Sequence, residues 1–194
     1  MTRLWLASAS PRRREILRSL GIVFEVHVTD VDESELAGES PVAYVARVAR
    51  DKRLAAERVV QGAVIAADTT VAIDGRALAK PADDDDARRM LAALSGRTHA
   101  VHTGISVSCG QRVVERVVST EVDFAPLDAG TIDRYVATGE PRDKAGAYGI
   151  QGVAAGLVTG LRGSYTNVVG LPAREVVEAL LEVGALARWP SEPA

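Results

Sequence analysis

The side chains able to carry chemistry are few in this chain, and they stand at separate places. Near the N-terminus, Ser8-Ala9-Ser10-Pro11-Arg12-Arg13-Arg14 brings two hydroxyls and three guanidinium groups to the start of a predicted helix. Ser10 suits the N-cap and Pro11 the first helical position. Three arginines there oppose the helix macrodipole, which favours acids at that end. Together with backbone N–H groups and the hydroxyls, they make a cradle for an oxyanion. On a helical wheel Arg13 shares the face of Ile16, Leu17 and Leu20, with Arg12 at its margin and Arg14 pointing away. An arginine on the buried side needs an anionic partner. A carboxylate of the protein meets that need as well as a phosphate chain does.

Farther along, Pro41 to about Val59 predicts a helix with Val42, Val45, Val48, Ala49, Ala55 and Ala56 on one face. Lys52 falls near the middle of that apolar arc. Either its ammonium snorkels to solvent or it projects as a cation into a cleft. Ala63 to Ala67 predicts an apolar strand ending at Asp68, followed by Thr69 and Thr70. A carboxylate delivered by such a strand can hold a divalent metal or take a proton from water, and it can equally cap a turn. Lys80, stiffened by Pro81, and Glu33, in the acidic loop from Asp30 to Glu39, are each compatible with a solvated surface role.

Other groupings carry less. Asp83 to Asp86 suit the positive end of a helix. His99 and His102, three apart in a predicted strand, face opposite sides and make a poor metal pair. Cys109, the one cysteine, excludes an internal disulfide and reads as packing. The segment from Lys144 to Gly152 has neither Walker nor dinucleotide spacing and reads as a shaped wall or lid.

The elements that position these residues alternate. Strands are predicted at Leu4 to Ala7, Phe24 to Thr29 and Ala63 to Ala67. Two more, His99 to Ser108 and Arg112 to Phe124, are joined by a hairpin at Gly110-Gln111, and a short strand covers Leu157 to Leu161. Helices are predicted from Pro11 to Leu20, Pro41 to Val59, Asp83 to Leu94, Asp128 to Thr138 and Pro172 to Val183. Gly139 to Gly156 reads as loop and Asp74-Gly75 as a turn. This order predicts a mixed α/β fold, one domain over residues 1–187 and a frayed tail from 188 to 194. A net charge of -3 gives no electrostatic case for nucleic acid, and an anionic ligand would need a local positive pocket. With no stretch of about 18 apolar residues and no signal-peptide pattern, the expectation is a cytoplasmic, soluble protein.

In their order, LASASPRRREIL, DVDES, VARVARDKRLAA, AADTTV, LAKP, MLAALSGRTHAVHTG, DKAGAYGIQG and GSYTNVVGLP resemble the successive motifs of the Maf family, from about Leu4 to Pro172. The resemblance implies two lobes around a deep cleft, as in inosine triphosphate pyrophosphatases, and a homodimer. It implies hydrolysis of a nucleoside triphosphate to the monophosphate and pyrophosphate with a divalent cation, magnesium or manganese. By motif match, Asp68 corresponds to the proton acceptor. Ser8, Arg12, Arg13, Lys52 and Lys80 correspond to the phosphate cradle, and Glu33 to its acidic partner near the metal. Arg12, Thr69 and Gln151 match positions tied to substrate choice, and DKAGAYGIQG is similar to the branch acting on dTTP and UTP. Ala67 stands where many relatives have Gly, and Arg53 where a small residue is usual; both bear on cleft shape. The rival expectations are a broad house-cleaning enzyme for modified nucleotides and a non-enzymatic partner of septum formation or nucleic acid.

Overall fold

Along the central strand Val64, Ala66 and Asp68 alternate with Ala63, Ile65 and Ala67, and the two sets face opposite layers of helices. The computed structural model describes residues 2–190. Of the tail expected to fray, residues 191–194 lie outside those described.

The sheet is mixed. Its strands are β1 (Leu4–Leu6), β2 (Glu25–Val26), β3 (Ala63–Ile73), β4 (Arg76–Leu78), β5 (Thr98–Cys109), β6 (Arg112–Phe124) and β7 (Val158–Arg162). They lie in the order β2-β1-β3-β5-β6-β7, with β4 also paired to β3. β1 is parallel to β2 and β3, and the other pairings are antiparallel. β3 does not stop at Asp68 as expected but runs on to Ile73. There Asp74 and Gly75, with φ of 53° and 75°, make the left-handed turn that returns the chain as β4. The strand expected from Phe24 to Thr29 shrinks to two exposed residues, because this edge has β1 as its single neighbour.

The helices are α1 (Pro11–Ser19), α2 (Pro41–Glu57), α3 (Asp84–Leu94), α4 (Ala129–Ala137), α5 (Tyr165–Val169) and α6 (Ala173–Glu182). Ser10, Ser40, Asp83, Asp128 and Ser164 cap the first five through their side chains. Five-residue α5 is too short to leave a periodic signal and was not expected. The expected loop from Gly139 to Gly156 contains short 3-10 turns at Glu140–Asp143, Ala145–Ala147 and Val153–Leu157. Among the described residues no helix is long and apolar enough to cross a membrane.

Two large apolar clusters share the sheet, with a smaller one of Ala7, Val64 and Ala66 against Ala56 of α2. One joins Leu6, Ile65 and Ala67 to Ile16 and Leu17 of α1 and to Leu180 of α6. The other joins Val71, Val101 and Phe124 to Leu91 and Leu94 of α3 and Ile132 of α4. Along β3 the clusters are separated by Asp68-Thr69-Thr70, and along β5 by His102-Thr103-Gly104. The polar seam between two cores is where the cleft opens.

Candidate active site

β3 lacks a strand neighbour on one side just where its acid lies. β1 pairs only as far as Ile65, pairing with β4 begins at Val71, and the intervening backbone faces the cleft. Two-residue periodicity turns Asp68 to the same side as Val64 and Ala66, toward α2. α2 can come close because β5 carries Gly104 opposite Asp68, and a β-carbon at 104 would run into the Val45 carbonyl. On α2, Lys52 stands one turn from Val48 and from Ala56, both fully buried. Lys52 is itself buried at 7% exposure, and its Nζ lies 2.8 Å from Asp68 Oδ1 and 3.0 Å from Glu33 Oε1. The lysine therefore does not snorkel; one ammonium bridges two carboxylates.

Glu33 reaches that point because its loop is latched to α2. The Tyr44 hydroxyl donates to the Glu33 carbonyl at 2.9 Å, and Arg47 Nη2 donates to the Ser34 carbonyl at 2.8 Å. Arg47 also grips Glu39 through two bonds of 2.7 and 2.8 Å. Burial, and then the charges of Asp68, Glu33 and Glu35, push the Tyr44 hydroxyl up to a pKa of about 12, so it remains a donor. Sequence reasoning did not single out Tyr44 or Arg47. The available signal was that residues 44, 48 and 52 share one helical face.

Arg13 lies beneath the cleft. Its Nε donates to the Gly170 carbonyl (2.8 Å), Nη1 to Ser8 Oγ (3.0 Å) and the Ala67 carbonyl (2.8 Å), and Nη2 to Thr69 Oγ1 (3.1 Å). Four of its five N–H donors are thus spent on carbonyls and hydroxyls of the protein, rather than on a carboxylate. Burial holds its pKa below the ordinary value, against the pull of Asp68 and Glu33 and helped by Arg12. Thr69 faces the layer opposite Asp68, where its hydroxyl also meets Thr103 Oγ1 at 2.9 Å. Ser8, Arg13 and Thr69 form a cross-linked floor. Arg12 stands 4.0 Å from Asp143, and Lys80 is exposed in the loop after β4. That loop is tied to the opposite wall by the Gly146 N–H on the Ala79 carbonyl at 3.2 Å.

The cleft has a volume of about 920 Å³, and all nine residues singled out from sequence line it: Ser8, Arg12, Arg13, Glu33, Lys52, Asp68, Thr69, Lys80 and Gln151. The glycine-rich segment supplies its far wall, from Asp143 to Gly152. The expected local excess of positive charge is not found. Arg12, Arg13, Lys52, Lys80 and Lys144 are matched by Glu33, Glu35, Asp68, Glu140 and Asp143. Neither departure from the family pattern lines the cleft. Ala67 lies in the core, while Arg53 is buried in the seam between α2 and β5, bonded to Ser106 (2.7 Å) and Glu57. Of the groupings set aside, Asp83 caps α3 and Asp84, Asp85 and Asp86 pair with arginines. His99 is buried against Tyr148, whereas His102 meets Ser119, and half-buried Cys109 packs beside the first core.

Among the described residues no cluster of three His, Cys, Asp or Glu side chains could hold a metal by itself. Glu33 and Asp68, however, converge on one cation, Lys52, through hard oxygen donors. Such a pair fits a magnesium-like ion that takes one or two carboxylates and draws its remaining ligands from phosphate and water.

A family model described as Maf-like protein matches residues 3–183. A dTTP/UTP pyrophosphatase of Anaeromyxobacter sp. (strain Fw109-5) is 53% identical, over 99% of this chain and 96% of its own. Proteins of the same name from Chromobacterium violaceum and Myxococcus xanthus are 50% and 49% identical, over 94% and 97% of this chain and 96% of each relative. Among solved structures, a HAM1 protein from Coxiella burnetii matches with a TM-score of 0.51 at 20% identity, covering 94% of this chain and 100% of that one. The two share a fold.

Proposed function

The chain belongs to the Maf family, and from that membership we propose that it hydrolyses dTTP and UTP to the nucleoside monophosphate and pyrophosphate. The observation that carries this reading is the buried ammonium of Lys52 between Asp68 and Glu33, at the base of a cleft large enough for a nucleotide.

Cleavage between the α and β phosphates requires water at the α phosphorus and a neutralised pyrophosphate as leaving group. Lys52 holds Asp68 Oδ1 in place before substrate arrives, so the carboxylate is oriented to accept the proton of the attacking water. Arg12, Lys80 and the remaining Arg13 donor neutralise the β and γ phosphates as charge develops on them. Positioning and charge stabilisation of this kind supply most of the catalysis of such transfers. Glu33 and Asp68 would hold a divalent cation, magnesium or manganese, whose charge lowers the pKa of water and offsets that of phosphate. Gln151, exposed on the far wall, offers an amide that both donates and accepts. That suits the N3–H and O4 edge shared by thymine and uracil.

The test is pyrophosphate release from a panel of pure nucleoside triphosphates, with magnesium or manganese and then with chelator. Release from dTTP and UTP that disappears with chelator and in Asp68→Asn is the expected result. Release favouring other bases discards the pyrimidine assignment, and none from a folded protein discards the enzyme. The cytoplasm and a homodimeric state are part of the same proposal; fractionation tests the first and analytical ultracentrifugation the second.

A further inference from the structure

Glu140 is a cleft carboxylate that the proposed hydrolysis does not use, yet both of its oxygens are engaged. Oε1 accepts from the Tyr135 hydroxyl at 2.8 Å and from the Ala154 N–H at 3.4 Å, and Oε2 accepts from the Val153 N–H at 2.8 Å. Tyr135, 3% exposed, in turn accepts from the Gly149 N–H at 3.2 Å. The segment from Gly149 to Val153 is therefore fastened at both ends to one hydrogen-bonded pair, with Gln151 exposed between the two attachments.

The fit depends on glycine. A β-carbon at Gly152 would run into the Glu140 carboxylate, and one at Gly149 would come within 2.6 Å of Lys144 Cε. Lys144 is held by the Glu140 carbonyl at 2.8 Å and by Asp143 at 2.6 Å. Burial works to raise the Glu140 pKa, but the Val153 N–H, the Tyr135 hydroxyl and the Ala154 N–H outweigh it and keep the group a charged acceptor. A stretch containing Gly149 and Gly152 has wide conformational freedom unless it is tied down. A wandering amide would satisfy more than one base edge, since selectivity of this kind needs a contact held to a fraction of an ångström.

We propose that Glu140 and Tyr135 are positioning residues for base selection: they bracket residues 149–153 and present Gln151 in one fixed pose. The inference rests on the reading of the cleft as a nucleotide site in which Gln151 meets the base.

The experiment uses the full chain, with Glu140→Gln and Tyr135→Phe as variants. Affinities for the α,β-methylene analogues of dTTP and dATP are read by calorimetry, and amide exchange over residues 149–154 by mass spectrometry. Each variant is expected to speed exchange in that segment and to lower the dTTP-to-dATP affinity ratio by about tenfold, the worth of one charge-assisted hydrogen bond. In a Gln151→Ala background, Glu140→Gln should leave the ratio unchanged, because a residue acting only through Gln151 cannot lower selectivity twice. A merely structural role would lower stability without this coupling. Unchanged exchange, an unchanged ratio, or losses that simply add to those of Gln151→Ala overturn the proposal. Should Glu140→Gln fail to fold, Tyr135→Phe decides the matter, since it removes the bonds without changing charge. Absence of pyrophosphate release from natural nucleotides refutes the proposed function but leaves the analogue ratio to judge the bracket. Binding of neither analogue by the wild type overturns the bracket as well.

Discussion

Replacing Lys52 by Met removes the one cation shared by Asp68 and Glu33 while keeping the length of the side chain. At an effective dielectric constant of about 20, a charge contact near 3 Å is worth roughly 5–6 kcal/mol before desolvation is counted. Most of that is offset, because the ammonium no longer has to be buried. What remains is the cost of leaving the nearly buried Asp68 carboxylate without its counter-charge, about 3–5 kcal/mol for a fully buried pair. The cleft opens to water beside half-exposed Glu33, so the lower end applies, about 3 kcal/mol. For a chain of this size that corresponds to a fall in Tm of about 6–12 °C. Adding Asp68→Asn to Lys52→Met should recover much of the loss, since the amide carries no charge to strand. The assay is denaturant unfolding of the wild type, both single variants and the double variant at neutral pH. A Lys52→Met protein as stable as the wild type, or a double variant no better than Lys52→Met alone, would refute the reasoning.

Two further outcomes follow from the packing. Gly104→Ala places a methyl group against the Val45 carbonyl and forces α2 off β5, drawing Lys52 from Asp68. A loss of about 2 kcal/mol of stability and of most pyrophosphate release is expected, measured by denaturation and by turnover. His99, buried against Tyr148 and Phe124, has its pKa pushed down by burial to about 4. The unfolded chain therefore takes up the proton first. Its contribution is intact above about pH 6.5 and is lost as pH falls toward 4, up to about 3 kcal/mol. His99→Gln should flatten that part of the stability profile, and an unchanged slope would show that His99 is not its source.

The sequence alone determined the local matters. The Ser10 cap and Pro11 start α1, the apolar arc of α2 encloses Lys52, and an apolar run leads into the acid, because caps and periodicities act within a few residues. Family-type motifs in order marked nine residues, and all of them line the cleft. The tertiary structure decided the partnerships. Whether Lys52 snorkels or pairs depends on a strand acid sixteen residues farther on and on a loop latched by Tyr44 and Arg47. Arg13 proved to be bound to carbonyls at Ala67 and Gly170, partners that no helical wheel contains. Asp68 lies in mid-strand rather than at an end, because a turn beyond it returns the chain as β4. Glu140 gave no sign in sequence, since a carboxylate that accepts backbone N–H groups thirteen and fourteen residues away has no pattern of its own. Local chemistry is written in neighbouring residues; a charge's partner is set only when distant segments exclude water and leave it one place to go.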